Sequence, residues 1–415
     1  MIRILKTVPD GFPTFRADIA ALFGKYLPRL GIASDLVTQA SEVNAPEVTE
    51  WGGGRVLLCR RTGSRSRDQV RALVHDLSVL RRIPAEEYQA IQVRDKVFAA
   101  VFALWIGWRR KLPVFYWMSF PMSERYISVI REEGLSIGFV RWLFLVVKGY
   151  LGKALLYRFV LPRCAHIFVQ SERMREDVAA HGIPRDRMTP VPMGVDLERP
   201  LPDRTQAHAH PALEGRQAVA YLGTFDRPRR LEFLLEVFQR LVPRLPDARL
   251  LMIGDGPLPE DRARLEAHAA ALGIADRIVW TGWVSPEDAW RWLVRADVAV
   301  SLFPRGELLD SASPTKVVEY MALGIPVVAN DQPDQAQVLR DSGAGLCAPM
   351  EHAEFAMALE RILSNPELAR GMCVAGPPYV AAHRGYAHIA DEVASVYRRY
   401  ISMKEYTCGS QVSRA

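Results

Sequence analysis

A short stretch in the second half of the chain places two charged side chains where a helix begins. The segment "LLDSASPTKVVEYMALGIPVVAND" covers residues 308–331, and its pattern predicts a helix from Thr315 to Leu323 followed by the buried strand "IPVVA". Lys316 and Glu319 lie in the first turns of that helix. The free N–H groups of a helix start and a nearby lysine favour an anion, whereas a glutamate one turn later suits ribose hydroxyls.

Four other loops follow predicted strands of the same half and offer glycine, hydroxyl groups or arginine. They read "GTFDRPRR" (223–230), "GDGP" (254–257), "TGWV" (281–284) and "PRGE" (304–307). Because the carboxyl ends of parallel strands meet at one edge of a sheet, these loops should converge on "DSASPTK" (310–316). Arg229, Arg230 and Lys316 would then lie around a bound diphosphate.

The opening segment also has a simpler interpretation. In it, Ser313 and Thr315 are helix N-caps, and Lys316 and Glu319 form an exposed ion pair one turn apart. The segment alone does not separate a nucleotide site from a capped surface helix.

Strand-like and helix-like segments alternate through both halves of the chain. This alternation predicts the α/β class, with two doubly wound, Rossmann-like domains whose carboxyl edges face across a cleft. The Pro- and His-rich stretch 184–215 marks the end of the first domain and a linker. The expected parts are an N-terminal domain, a C-terminal domain, a helix that crosses back to the N-terminal domain, and a tail: 1–198, 199–384, 385–403 and 404–415.

Composition fits a soluble globular protein, with 49% hydrophobic and 24% charged residues. The net charge of +6 is uneven, because residues 1–200 hold 30 Lys and Arg against 20 Asp and Glu, and the remainder holds 23 against 27. The five cysteines lack metal-ligand spacing, and there is no secretory leader and no apolar run of ~20 residues. These features predict a cytoplasmic protein that is at most peripheral on the inner face of a membrane. No nucleic-acid partner is expected, since no basic recognition motif is present.

The second half resembles the nucleotide-sugar-binding domain of retaining GT-B glycosyltransferases of the family-4 type. Six segments carry the resemblance in the family's order: "VPMGVDLERP" (191–200), "YLGTFDRPRRLEFLLEVF" (221–238), "LLMIGDGP" (250–257), "VWTGWVSPEDAWRWLVRADVAVSLFP" (279–304), "SPTKVVEYMALGIPVVA" (313–329) and "SGAGLC" (342–347). The predicted helix "MALERILSNPELARGM" also fits. The resemblance implies transfer of a hexose-type sugar from a nucleotide diphosphate sugar, with retention, to a saccharide or lipid-linked acceptor. It implies no cofactor and no metal, and the chain contains no D-x-D motif.

The family's site residues carry over onto the C-terminal domain. Glu319 would hold the ribose, and Lys316 and Arg230 would stabilise the leaving diphosphate as catalytic groups, with Arg229 as the alternative because the loop length is ambiguous. The remaining nucleotide-side positions are Gly223, Thr224, Gly254, Gly256, Gly282, Trp283, Val284, Ser313, Pro314 and Thr315.

Several positions depart from the family's pattern. Ser311 stands eight residues before Glu319, where the family has its first glutamate, so Ser311 is a catalytic candidate that would contact the sugar. Asp310 and Glu307 are nearby substitutes for that glutamate. Thr224 replaces an arginine. Two alternatives to transfer therefore stay open: a GT-B nucleotide-sugar epimerase, and a nucleotide-sugar-binding protein without transferase activity.

The N-terminal domain carries the predicted acceptor side. Gly11, Arg16 and Ser119 are its candidate residues, although the loop "PDGFPTF" has one glycine where the family has two, and Ser119 stands near the family's histidine position. The segment "GFVRWLFLVVKGYLGKALLYRFVLPR" (138–163) mixes aromatic and basic residues, as does "RRK" (109–111). Such segments suit an anionic membrane surface, or they form core with solvated basic residues between apolar ones.

Overall fold

The computed structural model describes residues 1–14, 16–44, 48–84 and 86–412, which form two compact units. The first unit contains Met1–Met193 together with the chain from Tyr386 onward, and the second contains Gly194–Gly385. The two-domain α/β prediction is confirmed, and so is the return of the C-terminal helix to the first domain.

An eight-stranded sheet forms the centre of the first unit, in the order β3-β4-β2-β1-β5-β6-β7-β8. Neighbouring strands are parallel except for the antiparallel pair β3 and β4. The strands are β1 (Ile2–Phe12), β2 (Ile32–Ala40), β3 (Glu50–Trp51), β4 (Gly54–Cys59), β5 (Ala90–Arg94), β6 (Val114–Met118), β7 (His166–Val169) and β8 (Met188–Pro190). β5, β6 and β7 are buried along their whole length, as expected for parallel strands covered on both faces.

Helices cover both faces of that sheet. They are α1 (Leu27–Arg29), α2 (Arg65–Arg82), α3 (Val97–Arg110), α4 (Met122–Glu133), α5 (Phe139–Val146), α6 (Gly152–Leu155), α7 (Leu161–Arg163) and α8 (Glu172–Ala179). Three π-helical segments adjoin them: Asp18–Tyr26, Val147–Leu151 and Leu156–Val160.

The second unit is built around a six-stranded, all-parallel sheet in the order β11-β10-β9-β12-β13-β14. Its strands are β9 (Ala218–Leu222), β10 (Arg249–Ile253), β11 (Ile278–Trp280), β12 (Val298–Ser301), β13 (Val327–Asn330) and β14 (Gly345–Ala348). Its helices are α9 (Leu231–Leu241), α10 (Pro259–Ala271), α11 (Pro286–Leu293), α12 (Thr315–Ala322), α13 (Pro333–Ser342), α14 (His352–Leu363) and α15 (Pro366–His383). β9 lies between β10 and β12, which brings the loops after these strands to one edge.

Two predicted segments differ from the structure. The single helix expected over "MALERILSNPELARGM" is two helices, because Asn365 caps a new helix that begins at Pro366. The C-terminal helix α16 runs from Tyr386 to Val412, so most of the predicted tail is helical, and residues 413–415 lie outside the described part. No proline interrupts α16.

Candidate functional site

Three glycine loops of the second unit meet at the carboxyl ends of β9, β10 and β11. The N–H of Gly223 donates to the carbonyl of Ile253 at 2.9 Å, and Gly254 forms an antiparallel bridge with Gly282. A Cβ atom on Gly254 would lie 2.3 Å from the carbonyl oxygen of Gly223. Gly223 and Gly254 also have φ angles of +148° and +122°, which side-chain-bearing residues rarely adopt. The loops therefore need glycine to approach one another.

Lys316 enters this glycine cluster from the first turn of α12. Its Nζ donates to the Tyr221 hydroxyl at 2.7 Å and lies 4.1 Å from the centre of that ring. A Cβ atom on Gly223 would approach Nζ to 2.6 Å, so the glycine leaves room for the ammonium group. Burial lowers the pKa of Lys316 well below its usual value, and the positive charge of Arg229 lowers it further. A ligand anion beside Nζ would favour the protonated form.

The start of α12 has no side-chain cap. Its N-cap residue is Pro314, which has no capping side chain, so the interpretation of Ser313 or Thr315 as the N-cap is wrong. Ser313 Oγ instead donates to Asp334 at 2.8 Å and accepts from Arg384 at 3.2 Å. The first N–H groups of α12 are thus left for a ligand or water.

Glu319 lies one turn beyond Lys316 on α12. Burial raises the pKa of Glu319 to about 7, although the charges of Lys316 and Arg199 act in the opposite direction. Lys316 bonds to Tyr221 rather than forming the exposed ion pair with Glu319. The sequence did not single out Arg199, whose guanidinium lies 4.9 Å from the Trp290 ring centre.

The two candidate arginines of the loop after β9 have different surroundings. Arg229 is partly buried, lies 4.9 Å from the Phe303 ring centre, pairs with Asp226 at 3.5 Å and contributes to the electrostatics at Lys316. Arg230 is exposed and adopts a left-handed conformation, φ +51°, at the start of α9. Arg229, and not Arg230, is therefore among the charges that act on the pKa of Lys316, which favours Arg229 over the position first preferred by sequence.

The other nucleotide-side candidates line the same edge. The Thr224 carbonyl lies 3.5 Å from the Tyr221 hydroxyl, and Gly256 N–H donates to Asp255 at 2.8 Å. Trp283 is exposed, and Val284 is half-buried. Each of these residues lies within two positions of Gly223, Gly254 or Gly282 in the chain.

Ser311 lies in a buried loop that Gln332 holds in place. The Gln332 amide donates to the carbonyls of Leu309, Asp310 and Ala312 at 2.9–3.2 Å. Asp310 pairs with Arg305 at 2.8 Å. Ser311 itself is 3% exposed, so its position is fixed by the packing of the loop.

The acceptor-side candidates of the first unit lie near its own carboxyl edge. Arg16 pairs with Asp18 at 3.3 Å and with Asp10 at 3.7 Å. Ser119 donates to Asp95 through its N–H at 2.9 Å and through its hydroxyl. Gly11 packs against Ser41, whose Cα would lie 2.8 Å from an added Cβ.

Sequence reasoning missed a buried charged cluster beside them. Arg94 is fully buried and pairs with Asp18 at 2.7 Å. Lys6 is also fully buried, with its Nζ over the ring of Phe23 at 2.7 Å, and burial lowers its pKa well below the usual value. Asp95 has a left-handed backbone, φ +50°. The sequence did contain a signal for this cluster, because a charged residue lies inside each of two strand-like segments: Lys6 in "IRILKTV" and Arg94 in "QVRD".

Neither a cluster of metal-ligating side chains nor a membrane-spanning helix occurs among the described residues. In this part of the chain, no set of three or more His, Cys, Asp and Glu side chains is arranged to hold a metal ion. None of the described helices combines the length and apolar character that a membrane crossing requires.

Comparisons with known proteins assign glycosyltransferase domains to both units. Residues 19–194 match the model "Glycosyl transferase 4-like domain", and residues 216–365 match "Glycosyl transferases group 1". The alpha-D-kanosaminyltransferase of Streptomyces kanamyceticus is 29% identical over 47% of this chain and 49% of its own length. The phosphatidyl-myo-inositol mannosyltransferase of Mycolicibacterium smegmatis is 33% identical over 44% of each chain.

Solved structures extend the likeness to nearly the whole fold. Sucrose-phosphate synthase of Thermosynechococcus elongatus superposes with a TM-score of 0.69 at 18% identity, covering 97% of this chain and 100% of that one. The chain spans about half the length of the curated relatives just described. It is thus a protein of the GT-B fold, with a glycosyltransferase family model matching each of its two domains.

Proposed function

We propose that the protein transfers a sugar from a nucleotide diphosphate sugar to a saccharide or lipid-linked acceptor, with retention of the anomeric configuration. The observation that carries the proposal is the meeting of Gly223, Gly254 and Gly282 beside Lys316 at an uncapped helix start. Backbone N–H groups, a helix dipole and an ammonium group in one place suit a diphosphate.

The proposed chemistry breaks the bond between the anomeric carbon and the diphosphate oxygen. A bond from that carbon to the acceptor oxygen forms, and the acceptor's proton leaves to the departing phosphate or to solvent. Lys316 and a loop arginine stabilise the negative charge that develops on the diphosphate. Glu319, once ionised, accepts hydrogen bonds from the ribose.

Exposed apolar residues support a membrane-bound acceptor. Phe139 is 66% exposed and Val140 81% exposed, and Leu143, Phe144 and Val147 follow on the same helical face. The alternative that this stretch is core therefore fails for these residues. No Asp or Glu occurs in 134–171, which contains five Lys or Arg residues. An apolar stripe with basic neighbours fits the surface of an anionic membrane.

Lipid recognition also fits the name of one relative. The phosphatidyl-myo-inositol mannosyltransferase of M. smegmatis is named for a phospholipid acceptor. We extend to this chain only the chemical class of that acceptor.

A ligand screen followed by product analysis tests the proposal. Thermal shifts with UDP, GDP and ADP, and then with their sugars, identify the donor, since a ligand that binds the native state raises the melting temperature. Incubation of that donor with lipid-linked acceptors should give a glycosylated product, and NMR of the new linkage reports retention. Nucleotide release that needs no acceptor would favour an epimerase. Binding without any turnover would favour a silent binding protein. That role is supported by Ser311 at the family's glutamate position and by Ser119 near the family's histidine position.

A further inference from the structure

The first unit contains an apolar cavity at the sheet end opposite to the predicted reaction edge. Its volume is about 750 Å³, within the ~300–1,000 Å³ of ligand pockets in general. The cavity lies where β6 begins at Val114 and where Ala165 precedes β7, so it adjoins the amino ends of these strands. The proposed sugar chemistry belongs to the carboxyl ends. A ligand here would have a role other than that of donor or acceptor.

The chemistry of the cavity wall excludes a polar ligand as its main occupant. Leu104, Trp105, Trp108 and Phe159 supply much of the wall. Of the twelve residues that line it, only Lys111 and Arg163 have polar side chains apart from the two indole N–H groups. The wall thus offers dispersion contacts and few hydrogen bonds, as an alkyl chain requires.

Basic residues lie in the cavity wall and next to it: Lys111 and Arg163 line the cavity, and the Arg109 guanidinium lies 5.8 Å from the centre of the Trp105 ring. Arg109, Arg110 and Lys111 end α3, and Arg163 ends α7 with its guanidinium 4.3 Å from the Phe159 ring centre. No Asp or Glu occurs between residues 97 and 123 or between 134 and 171. An anionic headgroup therefore meets cations without a competing carboxylate from these segments.

The lip of the cavity is suited to a bilayer interface. Trp108 is 79% exposed and Trp105 is 47% exposed, and tryptophan side chains favour the boundary between headgroups and acyl chains. The neighbouring segment from Phe139 to Leu151 adds further exposed apolar side chains. This segment leads through further helical turns to Phe159 and Arg163 of the cavity wall.

We propose that this cavity binds one acyl chain of an anionic phospholipid and so anchors the first unit to a membrane. The anchor shares only the membrane surface with the function proposed above, and it acts apart from the nucleotide site. A soluble lipid can therefore test it without any measurement of sugar transfer.

The test uses the full chain and lysophosphatidylglycerols with decanoyl, dodecanoyl and tetradecanoyl chains, each below its micelle concentration. Tryptophan fluorescence, quenched by a chain-brominated analogue, reports contact. We expect saturable binding of one lipid per chain, with affinity rising about 3–4-fold per added methylene as the chain is buried. Trp105→Phe/Trp108→Phe should remove most of the quenching.

Two variants alter the cavity by different means. Leu104→Glu places a charge in the wall, and Ala165→Phe fills the space; each should weaken binding about 10-fold or more while the nucleotide-induced thermal shift persists. Val374→Glu adds the same charge at a 74% exposed valine of the second unit and should leave lipid binding unchanged.

Three outcomes would overturn the proposal. One is affinity that does not depend on chain length, which would indicate headgroup binding alone. Another is quenching that persists in both cavity variants. The third is a concentration-dependent dimer that Leu104→Glu disperses, which would make a second copy of the chain the occupant.

Discussion

The Nζ atom of Lys316 lies 2.7 Å from the hydroxyl oxygen of Tyr221, which joins the first turn of α12 to strand β9. Tyr221 is fully buried, so its hydroxyl is a fixed acceptor for the ammonium group. The contact holds Lys316 beside Gly223, where a diphosphate would lie.

Removal of this lysine should impair turnover more than removal of its tyrosine partner. We expect Lys316→Ala to lower kcat by about 10²–10³-fold, as for the loss of one charged contact to the leaving group. Tyr221→Phe keeps the charge but frees the side chain, so its loss should be about 10-fold. Steady-state kinetics of both variants measure the two losses of kcat. Equal losses would show that Tyr221 does more than position the lysine.

The two arginines after β9 form a matched pair of substitutions. Arg229→Ala should weaken nucleotide diphosphate binding about 10-fold or more, because Arg229 is close enough to influence the charge of Lys316. Arg230→Ala serves as the control and should change the affinity less than about 3-fold. Calorimetric titration measures both. If Arg230→Ala weakened binding more than Arg229→Ala did, Arg230 would be the arginine that contacts the diphosphate.

Glu319 should make nucleotide binding and stability depend on pH in opposite directions. The pKa of Glu319 in the folded chain is about 7, above its ordinary value of 4.5, so the free protein gains stability from this group at low pH. That gain, on the order of 3 kcal/mol, should be lost as the pH rises through 7. Ribose hydroxyls donate to the ionised carboxylate, so nucleotide affinity should increase over the same range.

Melting curves and titrations from pH 5 to 8, with and without nucleotide, separate these effects. Glu319→Gln should flatten this part of both profiles. An unchanged pH profile in Glu319→Gln would remove Glu319 from the site.

The ion pair between Arg384 and Asp334 should stabilise the loop that carries Ser313. Arg384 is 7% exposed, and its Nη2 atom lies 2.7 Å from Asp334 Oδ1. Arg384→Met leaves a buried carboxylate without its cation, which costs about 3–5 kcal/mol, so the melting temperature of the second unit should fall by roughly 10 °C. Arg370→Met removes an exposed arginine and is the control; equal melting temperatures for the two variants would contradict this role.

The meeting of the glycine loops with Lys316 could be predicted because its signals are local. Strand, glycine loop and helix start are short-range patterns, so Gly223, Gly254, Lys316 and Glu319 were identifiable without a structure. The bond from Lys316 to Tyr221 was not, since it depends on β9 pairing beside β12 rather than on sequence distance.

Two further features of the structure could not be predicted from the sequence, and each has a physical reason. The choice between Arg229 and Arg230 depends on the conformation of the loop before α9, in which Arg230 adopts a left-handed backbone that the sequence does not signal. The buried pair of Arg94 and Asp18 contradicts the rule that strand interiors are apolar, and only packing reveals that the charges compensate.

Calorimetric titration of the full chain with UDP, GDP and ADP tests the central claim most directly, since the claim is that the loops around Lys316 bind a diphosphate. We predict that one of them binds with one site per chain, because the glycine loops, the start of α12 and Lys316 together suit a diphosphate. Lys316→Ala should weaken that binding. The account would be contradicted if no nucleoside diphosphate bound, or if one bound the Lys316→Ala variant with unchanged affinity.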